Sequence, residues 1–222
     1  MAGQRFSRIP KEKNFLDMAE YYQNFVTEKS FQLLKKLQKD YQFILIGGWA
    51  VFFYTRALKS KDIDIIVDFD ELDKLKENHQ VNKNERLKKY EINFGEFDVD
   101  IYLPFYSQFC LPIEFIQEHL KAAEGFQAPR LEILLILKQQ AYEDRKGSAK
   151  GEKDKLDILA LLNQQEFDFT FYLQILKSHQ LDGYRDNLIL LLKETKEASE
   201  LNLNVYQLSK LKKKVLSQLR SV

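Results

Sequence analysis

Hydrophobic residues recur at helical spacing near the start of the chain. Apolar positions three or four residues apart predict an amphipathic helix over residues 14–39. Residues 43–46 form a short apolar run that ends at Gly47 and Gly48, as expected of a buried strand that enters a tight turn. Residues 49–54 remain apolar after the glycines and predict a short buried helix.

Three further segments carry the alternation of a β-strand. Residues 63–67 alternate β-branched and acidic positions, which predicts a strand with acids on one face. Residues 87–94 and 97–103 predict the two strands of a hairpin that turns near Gly95. The charged stretch 70–84 predicts a short helix followed by a surface loop. The apolar runs within residues 113–126 are too short to assign.

The pattern is helical from Arg130 to the end of the chain, after a break near residues 127–129. We therefore predict an α+β fold in which residues 1–128 hold a small mixed β-sheet packed by the first helix, and residues 129–222 form an all-helical domain. The polar stretch 146–155 predicts a loop. Helices are predicted at residues 131–145, 153–162, 169–179, 186–198 and 205–219.

Composition narrows the class of protein without identifying a partner. The 222 residues are 45% hydrophobic, which is enough for real cores, and the net charge of +1 gives no overall field that favours nucleic acid or membranes. The single Cys110 excludes an internal disulfide, and no apolar run is long enough to span a bilayer. We therefore expect a cytoplasmic protein without a membrane contact. His79, His119 and His179 share no ligand spacing and predict no metal or catalytic site.

The glycine pair Gly47-Gly48 stands where a strand turns into a helix. Glycine allows close approach of a ligand to the backbone, and the free N–H groups and positive dipole of a helix start attract phosphate. The alternative is a turn that only needs residues without side chains. The pair alone leaves both interpretations open.

The acidic residues supply the candidate chemistry. Asp62 and Asp64 are two residues apart in a strand, so their carboxylates project from one face. Two such charges repel by roughly 4 kcal/mol at about 4 Å and an effective dielectric near 20. A bound Mg²⁺ would offset the repulsion, whereas on an exposed strand water would screen it.

A second acidic strand follows, with Asp98 and Asp100 alternating with apolar residues. If this strand lies beside residues 63–67, one of its carboxylates can reach the same metal. Asp100 is the better candidate because it lies deeper in the strand, and Asp98 is then a neighbour or a solvated side chain.

These motifs together resemble the nucleotidyltransferase signature of the DNA polymerase β superfamily. The resemblance implies a nucleotidyltransferase fold in which Asp62, Asp64 and Asp100 are catalytic and bind Mg²⁺ or Mn²⁺. It also implies that the glycine pair, Ser60 and Lys61 bind the nucleotide. The matching segments are Gly47-Gly48-Trp49-Ala50-Val51, Ser60-Lys61-Asp62-Ile63-Asp64 and Val99-Asp100-Ile101.

The first part of the helical half resembles the minimal and AbiEii-type nucleotidyltransferases. The segment LLILKQQAYEDR, which begins at Leu134, and the acids Asp154 and Asp157 carry this resemblance. It implies that Lys138 faces the nucleotide. Many relatives have an arginine two residues before the serine of the motif, but this chain has Leu58 there, with Arg56 as the nearest replacement.

The resemblance implies transfer of a nucleoside monophosphate from a nucleoside triphosphate to a hydroxyl acceptor, with release of pyrophosphate. The acceptor is an RNA, a protein or a small molecule, and an antitoxin or another partner protein is possible. The alternative is a catalytically impaired module of the same fold that binds nucleotide or a partner. A basic run near the end of the chain either contacts RNA or forms a solvated helix face. Its members are Lys210, Lys212, Lys213, Lys214 and Arg220.

Overall fold

The structure, a computed structural model, describes the backbone of residues 15–220 and the side chains of residues 24–220. The first helix, α1, spans Phe15–Asp40, in agreement with the prediction for residues 14–39, although residue 14 itself lies outside the described range. The chain then forms β1 (Ile44–Ile46), and α2 (Gly47–Thr55) follows directly, as the glycine pair predicts.

A five-stranded mixed sheet forms the centre of the fold. Its strand order is β1-β2-β5-β4-β3, in which β2 and β5 are parallel and the other neighbours are antiparallel. The predicted mixed sheet and the predicted hairpin of β4 and β5 are both confirmed. The remaining strands of the sheet are β2 (Ile63–Ile66), β3 (Asn82–Asn84), β4 (Lys89–Asn93) and β5 (Asp98–Tyr102).

Alternation along β2 and β5 separates an apolar face from an acidic one. Ile63 and Ile65 of β2 and Val99 and Ile101 of β5 are fully buried. Because successive side chains of a strand point to opposite faces, the aspartates between them lie on the other side of the sheet. The hydrophobic pattern that buries one face therefore fixes where the acids lie.

Helix α1 packs on α2 through aromatic side chains. The Nε1 of Trp49 donates a hydrogen bond to Ser30 at 3.0 Å, and the ring of Phe31 stacks on Trp49 at 5.3 Å between centroids. Both Trp49 and Ser30 are buried. This contact fixes α2, and with it the glycine pair at its start, against the first helix.

After the central sheet the chain forms α4 (Ile113–Glu118) and then a two-stranded hairpin of β6 (Leu120–Ala123) and β7 (Phe126–Pro129). The described residues that follow this hairpin are mainly helical. Between residues 130 and 220 the only strand-like pairing is a single bridge between Ala198 and Leu203. The helices are α3 (Phe69–Asn78), α4, α5 (Leu131–Asp144), α6 (Ala149–Leu162), α7 (Phe169–Ser178), α8 (Asp182–Glu194) and α9 (Val205–Arg220), with a 3₁₀ turn at Ser199–Leu201.

Three local predictions were wrong. Strand β3 lies where a surface loop was expected, because its polar residues pair with β4 through the backbone and carry no apolar alternation. Helix α6 begins at Ala149 and not near residue 153, since the Ser148 hydroxyl caps it by accepting from the Gly151 N–H at 3.1 Å. Helix α8 begins at Asp182, four residues before the predicted start.

The hydrophobic core contains buried residues from both predicted halves of the chain. The boundary proposed between residues 128 and 129 therefore stays a prediction. Over residues 15–220, no helix is both long enough and apolar enough to cross a membrane.

Candidate active site

Asp64 and Asp100 lie opposite each other on the two parallel strands of the sheet. They are register partners between β2 and β5, and Ile46, the last residue of β1, is the partner of Asp64 on its other side. The hydroxyl of Tyr102 donates to Asp64 at 3.5 Å. The structure thus brings together two of the three predicted acids beside the start of α2.

The environment of this pair disfavours two negative charges. Burial, followed by the charge of Asp64, raises the pKa of Asp100 to about 7. Burial also raises the pKa of Asp64, and the charge of Asp62 adds to it, while the cation of Lys138 acts in the opposite direction. Burial and mutual repulsion thus outweigh the nearby cations, and the charged forms of both carboxylates are disfavoured in the protein alone.

Asp62 lies at the edge of this group. One of its oxygens accepts from the backbone N–H of Asp98 at 3.4 Å, and the other pairs with the exposed Lys150 at 3.3 Å. The side chain of Asp98 accepts from Asn93 at 2.7 Å. The Asp98 side chain is thus engaged by Asn93, and Asp62 is held by a lysine from the helical half.

Strand β4 places two charged residues beside Asp100 that the sequence analysis did not identify. Glu91 is the register partner of Asp100, and Lys89 pairs with both, at 2.6 Å to Asp100 and 2.9 Å to Glu91. Burial lowers the pKa of Lys89, but the hydrogen bonds and charges of Asp100 and Glu91 together outweigh burial and raise the pKa overall. Period-2 alternation in residues 87–94 places Lys89 and Glu91 on one face, but their pairing with Asp100 depends on the strand register.

Within residues 24–220, no group of three or more His, Cys, Asp or Glu side chains is arranged to hold a metal ion. Two of the predicted acids instead pair with lysines, Asp62 with Lys150 and Asp100 with Lys89. The donors nevertheless fit a hard divalent cation. Asp64 and Asp100 offer carboxylate oxygens from adjacent strands, and burial together with their mutual repulsion raises the pKa of both.

Gly47 is required by the backbone and by its contact with Asp64. Its φ of +65° lies in the left-handed region that side chains rarely adopt, and a Cβ at this position would overlap the Asp64 carboxylate. The first helical residue of α2 therefore lies directly against the acid pair. A side chain here would close the space between them.

Gly48 lies against two polar side chains. A Cβ at Gly48 would meet the Ser60 hydroxyl at 2.5 Å and the Nζ of Lys153 at 3.0 Å. Ser60 is buried, and burial lowers the pKa of Lys153, an effect that Lys138 strengthens and Asp157 partly reverses. The start of α2 thus combines free backbone N–H groups, a hydroxyl and a lysine, which are the groups that bind phosphate.

Lys138 belongs to a buried ionic network between α5 and α6. Its Nζ lies 3.0 Å from Asp154 and 2.7 Å from Asp157, and its side chain is 8% exposed. Arg145 also pairs with Asp154, and Lys153 pairs with Asp157 at 3.2 Å. Burial opposes the charge of Lys138, but the two aspartates hold its pKa above the ordinary value. Lys138 therefore acts on Asp64 through its charge, while Lys153 faces the glycine pair.

The remaining basic residues lie apart from the acid pair. Lys61 is exposed on the segment before β2. Arg56 pairs with Glu124 beside the ring of Phe52, so the structure shows no contact between it and the acids. In the basic tail, Lys212 donates to the carbonyl of Thr195, and its neighbours on α9 are exposed.

Gly47→Ala is expected to destabilise the protein and to close the phosphate end of the site. The left-handed φ alone costs about 1–2 kcal/mol of unfolding free energy with an alanine side chain. The overlap with Asp64 adds to this cost. Urea denaturation measures the total loss.

Gly95→Ala is the matched control, because Gly95 has a φ of +81° but a Cβ added there would meet no atom within 4 Å. Its free energy of unfolding should fall only by the cost of the left-handed φ, without the added cost of overlap with another side chain. Equal losses in the two variants would show that the Asp64 carboxylate moves away without cost.

The comparisons with known proteins concern the fold. No protein-family model matches the chain, and no curated protein matches it. The chain is similar to a solved structure described as a "putative nucleotidyltransferase from H. pylori", with 15% identity, a TM-score of 0.51, and coverage of 89% of this chain and 96% of that one. It is also similar to JHP933 from Helicobacter pylori, with 17% identity, a TM-score of 0.46, and coverage of 90% and 96%. The first likeness shows a nucleotidyltransferase-like fold.

Proposed function

We propose that the chain is a nucleotidyltransferase that moves a nucleoside monophosphate from a nucleoside triphosphate to a hydroxyl acceptor. The observation that carries the proposal is the pairing of Asp64 with Asp100 directly beside the glycine start of α2. Acids for a metal and a helix start for phosphates are the two parts that this reaction needs. In the structure they are in contact.

Asp64 and Asp100 would hold Mg²⁺ or Mn²⁺, with Asp62 as the third ligand once Lys150 releases it. When bound, the metal would neutralise charge on the triphosphate and make the acceptor hydroxyl more acidic. Lys89 has to give up its contact with Asp100 in the same step. Lys89 and Lys150 would then be replaced as partners of Asp100 and Asp62 by a dication, whose double charge attracts a carboxylate more strongly than a single ammonium group does.

The start of α2 would bind the leaving phosphates. The Ser60 hydroxyl and the ammonium group of Lys153 lie against Gly48, and with the N–H groups of Gly47 and Gly48 they would contact the phosphates. Lys61 would reach the phosphates from the exposed rim, and Lys138 would contribute through its charge. A phosphate would also stabilise the charged form of Lys153, which burial disfavours in the free protein.

In the transfer, the acceptor oxygen forms a bond to the α-phosphorus, and the bond from that phosphorus to the bridging oxygen breaks, so that pyrophosphate leaves. The acceptor proton passes to Asp100. Asp100 lies opposite Asp64 on the neighbouring strand, and its charged carboxylate would take up this proton.

The finer classification also belongs to the proposal. Lys138, Asp154 and Asp157, on which the resemblance to AbiEii-type nucleotidyltransferases rests, form one ionic network in the structure. We therefore propose an AbiEii-like enzyme. Its acceptor would be an RNA, a protein or a small molecule, and an antitoxin is a possible partner. The exposed lysines of α9 offer one surface for RNA phosphates.

A second candidate is a module that binds nucleotide without turnover. The pairing of Lys89 with Asp100 and of Lys150 with Asp62 favours it, because two of the three acids already have a cationic partner. Leu58 in place of the family arginine points the same way. Both candidates bind nucleotide, so turnover separates them.

The test is incubation of the purified protein with each labelled nucleoside triphosphate, Mg²⁺, and total cellular RNA or protein. We expect at least one triphosphate to release pyrophosphate and to label an acceptor, and Asp64→Asn to do neither. A saturable rise in melting temperature with a triphosphate, but without pyrophosphate release for any of the four, would instead favour the binding module.

A further inference from the structure

A second cavity lies between α1, α2 and the β6–β7 hairpin. Its volume is about 520 Å³, within the range of small-molecule sites. Neither Asp62, Asp64 nor Asp100 lines it, so it is separate from the acid pair. Five aromatic residues line it: Phe31, Trp49, Phe52, Phe53 and Phe126.

The aromatic rings form an apolar base of three buried and two half-buried side chains. Trp49, Phe53 and Phe126 are buried, and the last two stack at 5.0 Å with only 9° between their planes. Phe31 and Phe52 are half-buried and pack on Trp49 at 5.3 and 5.6 Å. Partly exposed rings that are fixed from behind can stack a flat ligand ring at little entropic cost.

Three lysines at the rim make no ion pair with any carboxylate of residues 24–220. Lys35 and Lys39 are four residues apart on α1 and so project from one face, and Lys59 approaches from the segment after α2. Lys35 also lies 4.4 Å from the centre of the Phe31 ring. Like charges at this helical spacing destabilise a helix, and an anion between them would remove the penalty.

The two acids of the cavity are already engaged. Glu124 pairs with Arg56, and Glu28 accepts a hydrogen bond from Gln32 at 2.7 Å. Four basic residues and these two acids line the cavity, so the rim carries a net positive charge next to the aromatic rings. A ligand that uses both features carries a flat ring and an anionic group.

We propose that this cavity is a second nucleotide-binding site, which takes a free mononucleotide. The base would stack on Phe52 and contact the edge of Phe31, since Trp49 is inclined by 27° to Phe31 but by 87° to Phe52. The phosphate would lie between Lys35, Lys39 and Lys59. An inorganic anion would leave the rings unused, and a neutral aromatic compound would leave the lysines unpaired. Because α2 carries the glycine pair at one end and lines this cavity further along, an occupant here contacts the same helix as the catalytic nucleotide.

Trp49 makes the site directly observable, because it is the single tryptophan of the chain and it lines the cavity. The full-length protein is titrated with adenosine monophosphate in the absence of Mg²⁺ while tryptophan fluorescence is recorded. We expect a saturable change, with adenosine and ribose 5-phosphate each binding at least about tenfold more weakly, since each supplies only half of the contacts.

The test variant is Lys35→Glu with Lys39→Glu, two exposed positions at which the fold should be unaffected. It should weaken binding at least tenfold. Lys36→Glu is the matched control, since Lys36 is exposed on the same helix but does not line the cavity. It should change the affinity by less than about twofold, which allows for its long-range charge.

Asp64→Asn separates this site from the catalytic one and should keep the fluorescence response. Loss of the response in Asp64→Asn would place the ligand at the acid pair and overturn the proposal. Equal affinity for ribose 5-phosphate, tighter binding of an RNA strand than of the mononucleotide, or equal losses in the double variant and in Lys36→Glu would overturn it as well.

Discussion

Replacing Asp64 by Asn is expected to abolish nucleotide transfer and to leave the metal-free protein at least as stable as the wild type. The substitution would remove the proposed metal ligand, a carboxylate that lies against Gly47 and opposite Asp100. Removal of one preorganised electrostatic group typically costs about 10²–10³ in rate, and a loss of about a thousandfold or more is expected here. Pyrophosphate release measures the change.

The expected stability follows from the sign of the pKa shift. The pKa of Asp64 is raised in the folded protein, so above its ordinary range the carboxylate form is less stable in the fold than in the unfolded chain. The same holds for Asp100, whose pKa is about 7. At pH 8 the uncharged amide introduced by Asp64→Asn removes this cost and the repulsion of Asp100. The melting temperature without metal should therefore stay equal or rise.

Asp98→Asn is the control, because Asp98 lies on the same strand as Asp100 but its side chain contacts Asn93 and not the acid pair. It should keep most of the activity. Mg²⁺ with a triphosphate should raise the melting temperature of the wild type and of Asp98→Asn through binding linkage, and should have little effect on Asp64→Asn. An identical response in all three proteins would mean that the acids form a solvated face and hold no ligand.

The positions of the main acids could be predicted because they follow from local alternation. Buried residues at every second position fix the apolar face of β2, and this leaves Asp62 and Asp64 on the other face. Asp100 could be preferred to Asp98 as the candidate metal ligand from its position in the strand alone, because it lies further from the turn. The glycine pair was predictable for the same reason, since a strand that turns directly into a helix needs an unusual backbone conformation.

The cationic partners of the acids could not be predicted because they come from distant parts of the chain. Lys150 reaches Asp62 from the start of α6, 88 positions away, and no sequence period reports such a contact. Helix α6 begins early because of the Ser148 cap, and this brings Lys150 to Asp62 and Lys153 to Gly48. A polar stretch that looks like a loop thus supplies the helix turn that carries these lysines.

Lys138→Met is expected to lower the free energy of unfolding by about 3–5 kcal/mol, the usual cost of breaking a buried ion pair from one side. Methionine fills the space of the lysine stem but leaves Asp154 and Asp157, which are at most 1% exposed, without their shared cation. One oxygen of Asp157 already has no hydrogen-bond partner. Urea denaturation at pH 8 measures the loss.

Lys76→Met is the matched control, because Lys76 forms an exposed pair with Asp73 at 2.9 Å. Exposed pairs contribute about 0–1 kcal/mol, so this variant should unfold close to the wild type. Adding Asp157→Asn to Lys138→Met should recover part of the lost stability, since it removes one of the stranded charges. If the Lys138 and Lys76 variants lose equal stability, water reaches the network between α5 and α6, and Lys138 is free to contact the nucleotide directly.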